Sequence, residues 1–368
     1  MKSKSTLRIA ILGAGIGGAS AAVALRHAGF NVEVYEQAAA IKEVGAGIGL
    51  RPPSIHYITK WGLQEEIERV THKSLQIEIL SDQAEVLLKE QWPALTDDPN
   101  EKWARLIHRA DCLDTLINAI PSEYLHLNHK CKNIVRHGDY AEIEFENGVK
   151  VEVDLVIGAD GIRSLTRNLF FSQAEPVFHS YHAYRALVNV DETYGLATGD
   201  TLRIVANDKV NLYLLPLKYR NQVSVDITVP HHDRTGRPNV PKEDMLNELK
   251  NFHPDFQKIA ENVNHWDVRA LYDIDPVQQW SNECITLLGD AAHSMLHNQG
   301  QGANMAIQDA GILAECLLEA ETVAEALQKY ETLRKPVCHL FQNLSRQFHN
   351  DKEDTFFPEK EFFENSAE

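Results

Sequence analysis

The first forty residues carry a pattern of apolar and polar positions that predicts a strand, a loop, a helix and a second strand. An apolar run over residues 7–12 breaks into the glycine-rich segment 13–18, after which alanines recur at helical spacing. Residues 31–35 alternate polar and apolar side chains, as a half-buried strand does, and Glu36 follows them directly. The pattern therefore predicts a βαβ unit with a glycine loop after its first strand.

The glycine spacing of this loop is that of a dinucleotide site. Gly13 permits the tight turn, Gly15 lets the backbone approach a pyrophosphate, and Gly18 lets the helix lie close to the strand. The start of the helix offers free N–H groups and a positive dipole end to the phosphates. Glu36 is placed to accept hydrogen bonds from ribose hydroxyls, whereas a phosphorylated ribose would favour an arginine. We therefore expect NAD or FAD, and not NADP, at this loop.

The middle of the chain shows mostly the pattern of antiparallel sheet. Residues 74–89 alternate around the polar segment 81–83, which predicts a hairpin, and Asn147-Gly148 predicts another hairpin turn. Further strands are predicted at residues 124–127, 132–136, 141–145, 149–153, 154–158, 184–190, 202–206, 210–217 and 222–230. Helices are predicted at residues 54–61, with Ser54 as the N-cap, and at residues 109–120, 242–252 and 305–318, while residues 45–53 are predicted to be a ligand-facing loop.

A further acidic, glycine-rich block lies near the end of the chain. A predicted strand over residues 284–288 ends at Gly289-Asp290, and Gly300-Gln301-Gly302 leads into the following helix. Asp290 alone fits a helix cap, but the glycines that follow it favour a carboxylate that meets a ligand hydroxyl. The N–H groups of residues 302–304 are expected to face the same ligand.

Length and composition narrow the class of protein. A chain of 368 residues predicts two domains, or one domain with a large insertion. The net charge of −17 disfavours nucleic acid or an anionic membrane as a partner. Five scattered cysteines without a C-x-x-C pair predict neither disulfides nor a zinc site, which fits a reducing cytoplasm. No continuous apolar run is long enough for a signal peptide or a membrane helix, so we expect a soluble protein. His231-His232-Asp233 is not expected to bind a metal, because adjacent side chains point apart.

Three motifs together resemble the signatures of the single-component FAD-dependent aromatic hydroxylases. They are the glycine loop 13–18, the segment Gly158-Ala159-Asp160-Gly161-Ile162-Arg163-Ser164, and the late block at residues 289–293 with residues 300–304. The chain is most similar to the branch of 6-hydroxynicotinate 3-monooxygenase and salicylate hydroxylase. The resemblance implies an α/β fold, in which a Rossmann-like FAD-binding domain of the glutathione reductase type carries an inserted antiparallel-sheet substrate domain. The FAD domain is expected to comprise residues 1–73, 101–175 and 276–345. The substrate domain is expected to comprise residues 74–100 and 176–275, and residues 346–368 are expected to form a C-terminal tail.

The resemblance also implies the residues that contact FAD. It implies Gly13, Gly15 and Gly18 at the pyrophosphate, Glu36 at the adenosine ribose, Arg109 at the phosphates, Cys131 at adenine through its backbone, Asp160 in a turn shared with the nicotinamide cofactor, Asp290 at the ribityl chain, and the amides of Gly302, Ala303 and Asn304 beside the flavin N1/O2 edge. Ile16, Gln37 and Gly49 are further cofactor-binding candidates.

The implied reaction is aromatic hydroxylation. NADH or NADPH reduces FAD, and O2 then gives a flavin C4a-hydroperoxide that hydroxylates a small aromatic or N-heteroaromatic substrate. No second Gly-x-Gly-x-x-Gly follows a strand, so the nicotinamide cofactor is expected to lack a Rossmann domain of its own. The enzyme is expected to be a monomer or a homodimer. The hydroxynicotinate enzymes carry a loop histidine where this chain has Gly49, which argues against that particular substrate.

The candidates for substrate contact each have two interpretations. Tyr213 either faces the substrate ring or packs in the sheet, and His297 is either a base near the flavin or a solvated loop residue. Arg51 either pairs with a substrate carboxylate or lies exposed on the surface. The alternative functions are an FAD-dependent oxidoreductase that does not hydroxylate, or one that acts on a larger polycyclic or quinone-like substrate. The block at Gly289-Asp290 argues against an NAD-dependent dehydrogenase.

Overall fold

The computed structural model describes residue 4 and residues 6–41, 45–92, 103–197 and 199–347 of the chain. The C-terminal tail predicted at residues 346–368 lies almost wholly outside the described residues. In chain order the strands are β1 (Arg8–Leu12), β2 (Asn31–Tyr35), β3 (Gly47–Leu50), β4 (His72–Ser74), β5 (Gln76–Leu80), β6 (Val86–Gln91), β7 (Ala104–His108), β8 (Leu125–His126), β9 (Cys131–Arg136), β10 (Ala141–Phe145), β11 (Lys150–Val153), β12 (Leu155–Gly158), β13 (Val177–Asn189), β14 (Leu202–Ala206), β15 (Asn211–Leu217), β16 (Gln222–Pro230), β17 (Asp267–Asp273) and β18 (Ile285–Leu287). The helices are α1 (Ile16–His27), α2 (Pro52–Lys60), α3 (Gln64–Arg69), α4 (Arg109–Asn118), α5 (Leu165–Phe170), α6 (Lys242–Glu248), α7 (Pro254–Asn262), α8 (Asp290–His293), α9 (Gly302–Glu319) and α10 (Val323–Ser345).

A five-stranded sheet, in the order β18-β12-β1-β2-β8, carries the N-terminal βαβ unit. All four of its strand pairs are parallel, so the carboxyl ends of its strands meet at one edge. Helix α1 packs between this sheet and α9. A Cβ atom at Gly18 would collide with the carbonyl oxygen of Gly13, so only glycine lets α1 start this close to the loop. The predicted Rossmann-like fold is confirmed.

A seven-stranded sheet, in the order β17-β13-β16-β15-β14-β5-β6, forms the second layer. Every pair in it is antiparallel except β14 with β5. Alternation along β15 decides its two faces: Leu212 and Leu214 belong to the core cluster that includes α6 and α7, whereas Tyr213 and Leu215 line a cavity on the opposite face. The inserted antiparallel sheet is thus confirmed, and the residue boundaries of the two domains stay a prediction.

The structure corrects several predicted elements. Ser54 is not an N-cap, because α2 begins at Pro52, whose ring presets the helical φ angle, and Arg51 precedes it as the cap. The predicted loop 45–53 contains β3, which pairs with β7. The predicted helix 242–252 ends at Glu248, and the sequence patterns missed α7 and α10. Within the described residues, no helix combines the length and the apolar character required to cross a bilayer.

Candidate active site

A cavity of about 1070 Å³ lies between the two sheets. Strands β1, β12 and β18 end on one side of it, and β13, β15, β16 and β17 face it from the other. It is lined by fourteen of the predicted site residues: Gly13, Gly15, Ile16, Glu36, Gln37, Gly49, Arg109, Cys131, Asp160, Tyr213, Asp290, His297, Gly302 and Ala303. Gly18 and Asn304 are not among its lining residues.

The glycine loop leaves space where a dinucleotide would approach. Gly13 has φ of +102°, and a Cβ atom there would collide with the carbonyl oxygen of Ala159, so the tight turn requires glycine. A Cβ atom at Gly15 would meet no described atom within 4 Å and would extend into open space. This is the cradle that a pyrophosphate needs at the start of α1.

Glu36 is held at the end of β2 by backbone donors. Its Oε2 accepts a hydrogen bond from the N–H of Ala14 at 2.8 Å, and its Oε1 accepts from the N–H of Ala38 at 2.8 Å. Each carboxylate oxygen can accept a further hydrogen bond. The two backbone contacts therefore orient the carboxylate on the cavity wall and leave acceptor capacity for ribose hydroxyls.

The start of α9 presents unpaired donors to the same cavity. The N–H groups of Gly302, Ala303 and Asn304 have no hydrogen-bond acceptor among the described residues, as expected for the first turn of a helix. The Asn304 side chain is buried and makes three hydrogen bonds, since its Oδ1 accepts from Arg51 N–H and its Nδ2 donates to the carbonyl groups of Gly49 and Gly300. Asn304 thus positions the helix start, and Gly302 and Ala303 line the cavity.

Two acidic residues that line the cavity, Asp290 and Asp160, differ in whether the protein already occupies their carboxylates. Asp290, the first residue of α8, is exposed and makes no side-chain hydrogen bond within the described part of the chain, so it is available to a ligand hydroxyl. Asp160 instead accepts hydrogen bonds from Ser164 Oγ at 2.5 Å and from the N–H and hydroxyl of Thr166 at 3.0 and 3.1 Å. Its carboxylate orders the turn before α5, and the turn itself lines the cavity.

Arg109 and Cys131 complete the predicted cofactor contacts. Arg109 begins α4 directly after β7, and its N–H donates to the carbonyl of Ala46 at 2.9 Å. Burial, with the negative charge of Asp160 as the smaller cause, raises the pKa of the Cys131 thiol to about 12. The thiol therefore stays protonated at neutral pH, which agrees with a role for Cys131 through its backbone.

Polar side chains meet at the cavity face of the seven-stranded sheet. Oδ2 of Asp226 accepts a hydrogen bond from Arg185 Nε at 2.7 Å, and its Oδ1 lies 3.5 Å from His297 Nε2. Nε2 of His297 also lies 3.1 Å from Thr228 Oγ1, and the His297 ring stacks edge-on against Tyr213 with centroids 5.6 Å apart. His297 is partly buried and bonded, so it is not the freely solvated loop residue of the alternative interpretation.

Burial and neighbouring charges determine the protonation states of Asp226 and Tyr213 in this group. Burial by itself raises the pKa of Asp226, but His297 and Arg185 outweigh it and hold that pKa well below its usual range. Burial, followed by the charge of Asp226, raises the pKa of Tyr213 well above its ordinary value. Asp226 is therefore ionised and Tyr213 protonated at neutral pH, and the Tyr213 hydroxyl can act as a hydrogen-bond donor.

Arg51 is buried, so its interpretation as an exposed surface residue is wrong. Its side chain is 4% exposed and lines the cavity, with the guanidinium carbon 4.7 Å from the centre of the Trp92 ring. A guanidinium over an aromatic face gains cation–π attraction. The sequence patterns did not single out Asp226, although a carboxylate within the apolar run of β16 was a usable signal.

A second polar cluster lies buried behind α8. Asp309 accepts hydrogen bonds from His293 Nε2 at 2.6 Å and from Arg334 Nε at 2.7 Å, and Cys338 lies beside it. The donor atoms of His293, Asp309 and Cys338 lie within 4.8 Å of one another, as metal ligands would. Because Arg334 already supplies a cation to the carboxylate, we interpret the cluster as an ion network that joins α8 to α9 and α10.

Comparison with known proteins agrees with this geometry. A family model described as an FAD binding domain matches residues 6–343. The 3-amino-4-hydroxybenzoate 2-monooxygenase PtnB3 of Streptomyces platensis is 32% identical over 350 residues, which cover 92% of this chain and 87% of that protein. The 6-hydroxynicotinate 3-monooxygenase of Pseudomonas fluorescens is 30% identical over 351 residues, or 92% of this chain and 90% of that protein.

The fold has a close match among solved structures. The crystal structure of Klebsiella pneumoniae HpxO, complexed with FAD and uric acid, superposes with a TM-score of 0.85 at 21% sequence identity, and covers 99% of this chain and 92% of that one. The open space at Gly15, the unpaired amides at the start of α9 and the available carboxylate of Asp290 fit FAD as the resident cofactor. The chain therefore belongs to the family of FAD-dependent aromatic hydroxylases.

Proposed function

We propose that this protein is a monooxygenase that uses NADH or NADPH and O2 to hydroxylate a small aromatic or N-heteroaromatic substrate with an ionisable ring hydroxyl. The observation that carries the substrate class is the group of Tyr213, Asp226 and His297 on the wall of the cavity that contains the predicted FAD contacts. Bound FAD would supply the electron transfer and the oxygen activation.

The chain's own groups would bind FAD as follows. Gly13, Gly15 and Ile16 would hold the pyrophosphate, and Glu36 and Gln37 the ribose end. Arg109 would reach the phosphates, and the backbone of Cys131 would meet adenine. Asp290 would bind the ribityl chain, with Gly49 and the turn at Asp160 on the same wall. The amides of Gly302, Ala303 and Asn304 would stabilise negative charge on the reduced ring, because they form the positive end of α9. Gly18 would act indirectly, by letting α1 start close to the loop.

His297 would take the proton from the substrate hydroxyl. Nε2 of His297 lies 3.5 Å from Asp226 Oδ1, so the ionised carboxylate stabilises the imidazolium that proton transfer creates. Tyr213 would donate a hydrogen bond to the substrate oxygen and hold the ring in position. The apolar side chains of Leu202, Ile204 and Leu215 line the same wall and would keep water from the reacting atoms.

Composition supports a cytoplasmic enzyme without a nucleic-acid or membrane partner. The chain has a net charge of −17, and its five cysteines are free of disulfides. We propose a monomer or a homodimer, which light scattering of the purified protein would distinguish.

The test starts from the visible spectrum of the purified protein. Oxidation of NADH and NADPH is then measured with and without a panel of hydroxylated aromatic and N-heteroaromatic acids. We expect flavin bands, substrate-stimulated oxidation of the dinucleotide, and a product that carries one oxygen atom from isotopically labelled O2. Substrate turnover without label in the product would instead establish an oxidoreductase that does not hydroxylate. Stimulation only by polycyclic or quinone-like compounds would contradict the small-substrate proposal.

A further inference from the structure

Ser345, the last residue of α10, bonds to both chain neighbours of His297. Its Oγ accepts a hydrogen bond from the N–H of Leu296 at 3.2 Å, and its carbonyl oxygen accepts from Asn298 Nδ2 at 3.0 Å. The Ser345 hydroxyl in turn donates to the carbonyl of Gln342 at 2.7 Å, which fixes the orientation of Oγ. The residues on either side of His297 are therefore held by one residue of the helix end.

The same helix turn makes further contacts with the segment around His297. Nε2 of Gln342 donates to the carbonyl groups of Ser294 and Ile274, both at 3.2 Å. Gln299 Nε2 donates to the carbonyl of Leu344 at 3.2 Å. Carbonyl groups in the last turn of a helix have no partner within the helix, so they are open to such donors. We call three residues of this turn the α10 clamp: Gln342, Leu344 and Ser345.

The His297 ring has few other restraints. Its Nε2 lies 3.1 Å from Thr228 Oγ1 and 3.5 Å from Asp226 Oδ1, but its Nδ1 makes no hydrogen bond within the described part of the chain. The ring keeps its place beside Asp226 only while the backbone of residues 294–299 stays in position. Ser345 is 0% exposed, so water cannot easily replace a bond that is lost there.

We propose that the α10 clamp positions His297 against Asp226 for proton transfer. The inference rests on the proposed function, in which His297 accepts the proton of the substrate hydroxyl. Gln342, Leu344 and Ser345 do not line the cavity, so they act through the loop and are positioning residues. A displacement of about 1 Å in a reacting group can lower a rate roughly a hundredfold, so bonds behind the loop matter for kcat.

The test compares variants of the clamp in the wild-type enzyme and in a His297→Gln background. Ser345→Ala removes the buried acceptor, and Ser345→Thr keeps it. Gln342→Met removes the amide donor at a similar side-chain length. Thr322→Ala is the matched control, because it removes the N-cap at the other end of the same helix and leaves the clamp intact. For each holoenzyme we would measure kcat, KM, FAD content and the midpoint of urea unfolding, with single turnovers for the slow variants.

We expect Ser345→Ala and Gln342→Met each to lower kcat about tenfold, because the His297 ring loses its alignment. KM and FAD content should not change, since neither variant touches Tyr213 or the predicted flavin contacts. Ser345→Thr should keep most of the wild-type kcat. Thr322→Ala should keep all of it, although its unfolding midpoint falls. In the His297→Gln background, Ser345→Ala should lower kcat no further, because the residue through which it acts is absent.

A second readout does not depend on turnover. In holoenzyme labelled with ¹⁵N-histidine, the ring signals of His297 are those that disappear in His297→Gln. We expect Ser345→Ala to shift these signals and Thr322→Ala to leave them unchanged. Loss of stability alone would not distinguish the two ends of the helix in this way.

Two results would overturn the inference: an equal loss of kcat from Ser345→Ala in both backgrounds, or unshifted His297 ring signals in that variant. If Ser345→Ala does not fold, Gln342→Met decides by the same criteria. A His297→Gln enzyme with the wild-type kcat would remove the base from the proposed function, and the role of the clamp with it. An impaired His297→Gln enzyme beside fully active clamp variants contradicts only the α10 clamp.

Discussion

Oδ1 of Asp226 lies 3.5 Å from Nε2 of His297, although the two residues are far apart in sequence. Asp226 lies on β16 of the seven-stranded sheet, and His297 lies in the segment between α8 and α9 that follows the parallel sheet. The contact therefore places an ionised carboxylate from one sheet beside an imidazole that is attached to the other. The pair therefore links the two sheets at the cavity that lies between them.

Replacement of Asp226 by Asn should lower kcat roughly tenfold or more, because the imidazolium of His297 loses its stabilising charge. FAD content should be unchanged, since Asp226 is on the opposite wall from the glycine loop. Steady-state kinetics of the variant, of His297→Gln and of the double variant check this. The loss of kcat in the double variant should be smaller than the sum of the two single losses, expressed as activation free energies, because the two residues act as a pair. Asp275→Asn is the control, as that carboxylate is exposed and pairs only with Arg346 among the described residues. Fully additive losses would contradict the pairing.

Replacement of Tyr213 by Phe should lower kcat/KM by about tenfold through the loss of one hydrogen bond to the substrate. The shape of the pH–rate profile should not change, because the pKa of Tyr213 lies well above its ordinary value and the hydroxyl does not titrate in the working range. Steady-state rates between pH 6 and pH 9 test this. Disappearance of a basic limb in the variant would show that Tyr213 titrates during turnover, contrary to our assignment.

Replacement of Gly15 by Ala should weaken FAD binding about tenfold, which corresponds to ~1.4 kcal/mol. The new methyl group would take space that the cofactor needs, but it would meet no described protein atom within 4 Å. Gly15 has φ of −70°, which alanine adopts without strain, so the unfolding midpoint of the apoprotein should not change. Fluorescence titration of the apoprotein with FAD measures the effect. Equal FAD affinity in both proteins would remove Gly15 from the site.

Replacement of Asp290 by Ala should release flavin, because its exposed carboxylate is available to a ribityl hydroxyl. The ratio of flavin absorbance to protein absorbance after gel filtration measures the content. Asp114→Ala is the control, because Asp114 is exposed on α4 and does not line the cavity. Full flavin content in the Asp290 variant would overturn the assigned role.

The buried pair of Asp309 and His293 predicts a pH window of stability. Burial raises the pKa of Asp309, but His293 and Arg334 outweigh it and lower the pKa from 3.8 to about 2. Burial likewise lowers the pKa of His293, but Cys338 and Asp309 outweigh it and raise the pKa well above 6.5. The stabilisation is therefore complete between about pH 4 and pH 6.5, declines as the pH falls toward 2, and declines as the pH rises through the pKa of folded His293.

Urea unfolding at several pH values tests this window against the variant Asp309→Asn. The contribution of the Asp309 carboxylate is about 2 kcal/mol at its maximum. The difference in unfolding free energy between the two proteins should be greatest inside the window and should shrink on the acid side. A difference that is independent of pH would show that the variant is destabilised by packing alone.

The cofactor half of the site was predictable because its signals are local. The spacing from Gly13 to Glu36 is that of one βαβ unit. Because β1 and β2 pair in parallel, the two residues that follow these strands lie at the same edge of the sheet. The substrate half depends on contacts between distant segments. The sequence around Asp226 does not predict its contact with Arg185. The two residues lie opposite each other only because of the register in which β13 pairs with β16.

The errors at residues 51–54 have the same origin. Local rules favoured Ser54 as a cap and an exposed Arg51, because a serine before a helical pattern and an arginine in a loop usually behave that way. In the fold, Asn304 bonds to the backbone of Arg51 from the start of α9 and fixes this segment. The side chains of Arg51 and Ser54 are both buried, and the proline pair at residues 52 and 53 sets the start of α2.

The strand order β18-β12-β1 has a consequence for the growing chain on the ribosome. The glycine loop is synthesised before β18, which pairs with β12, and Asp290 after it comes more than 250 residues later than that loop. The two walls of the predicted flavin site are thus made at well-separated stages of translation. A nascent chain that stops before β18 lacks Asp290, Gly302, Ala303 and Asn304, four of the fourteen predicted cofactor-binding residues. The full set of predicted flavin contacts therefore exists only after β18 and the start of α9 have been synthesised.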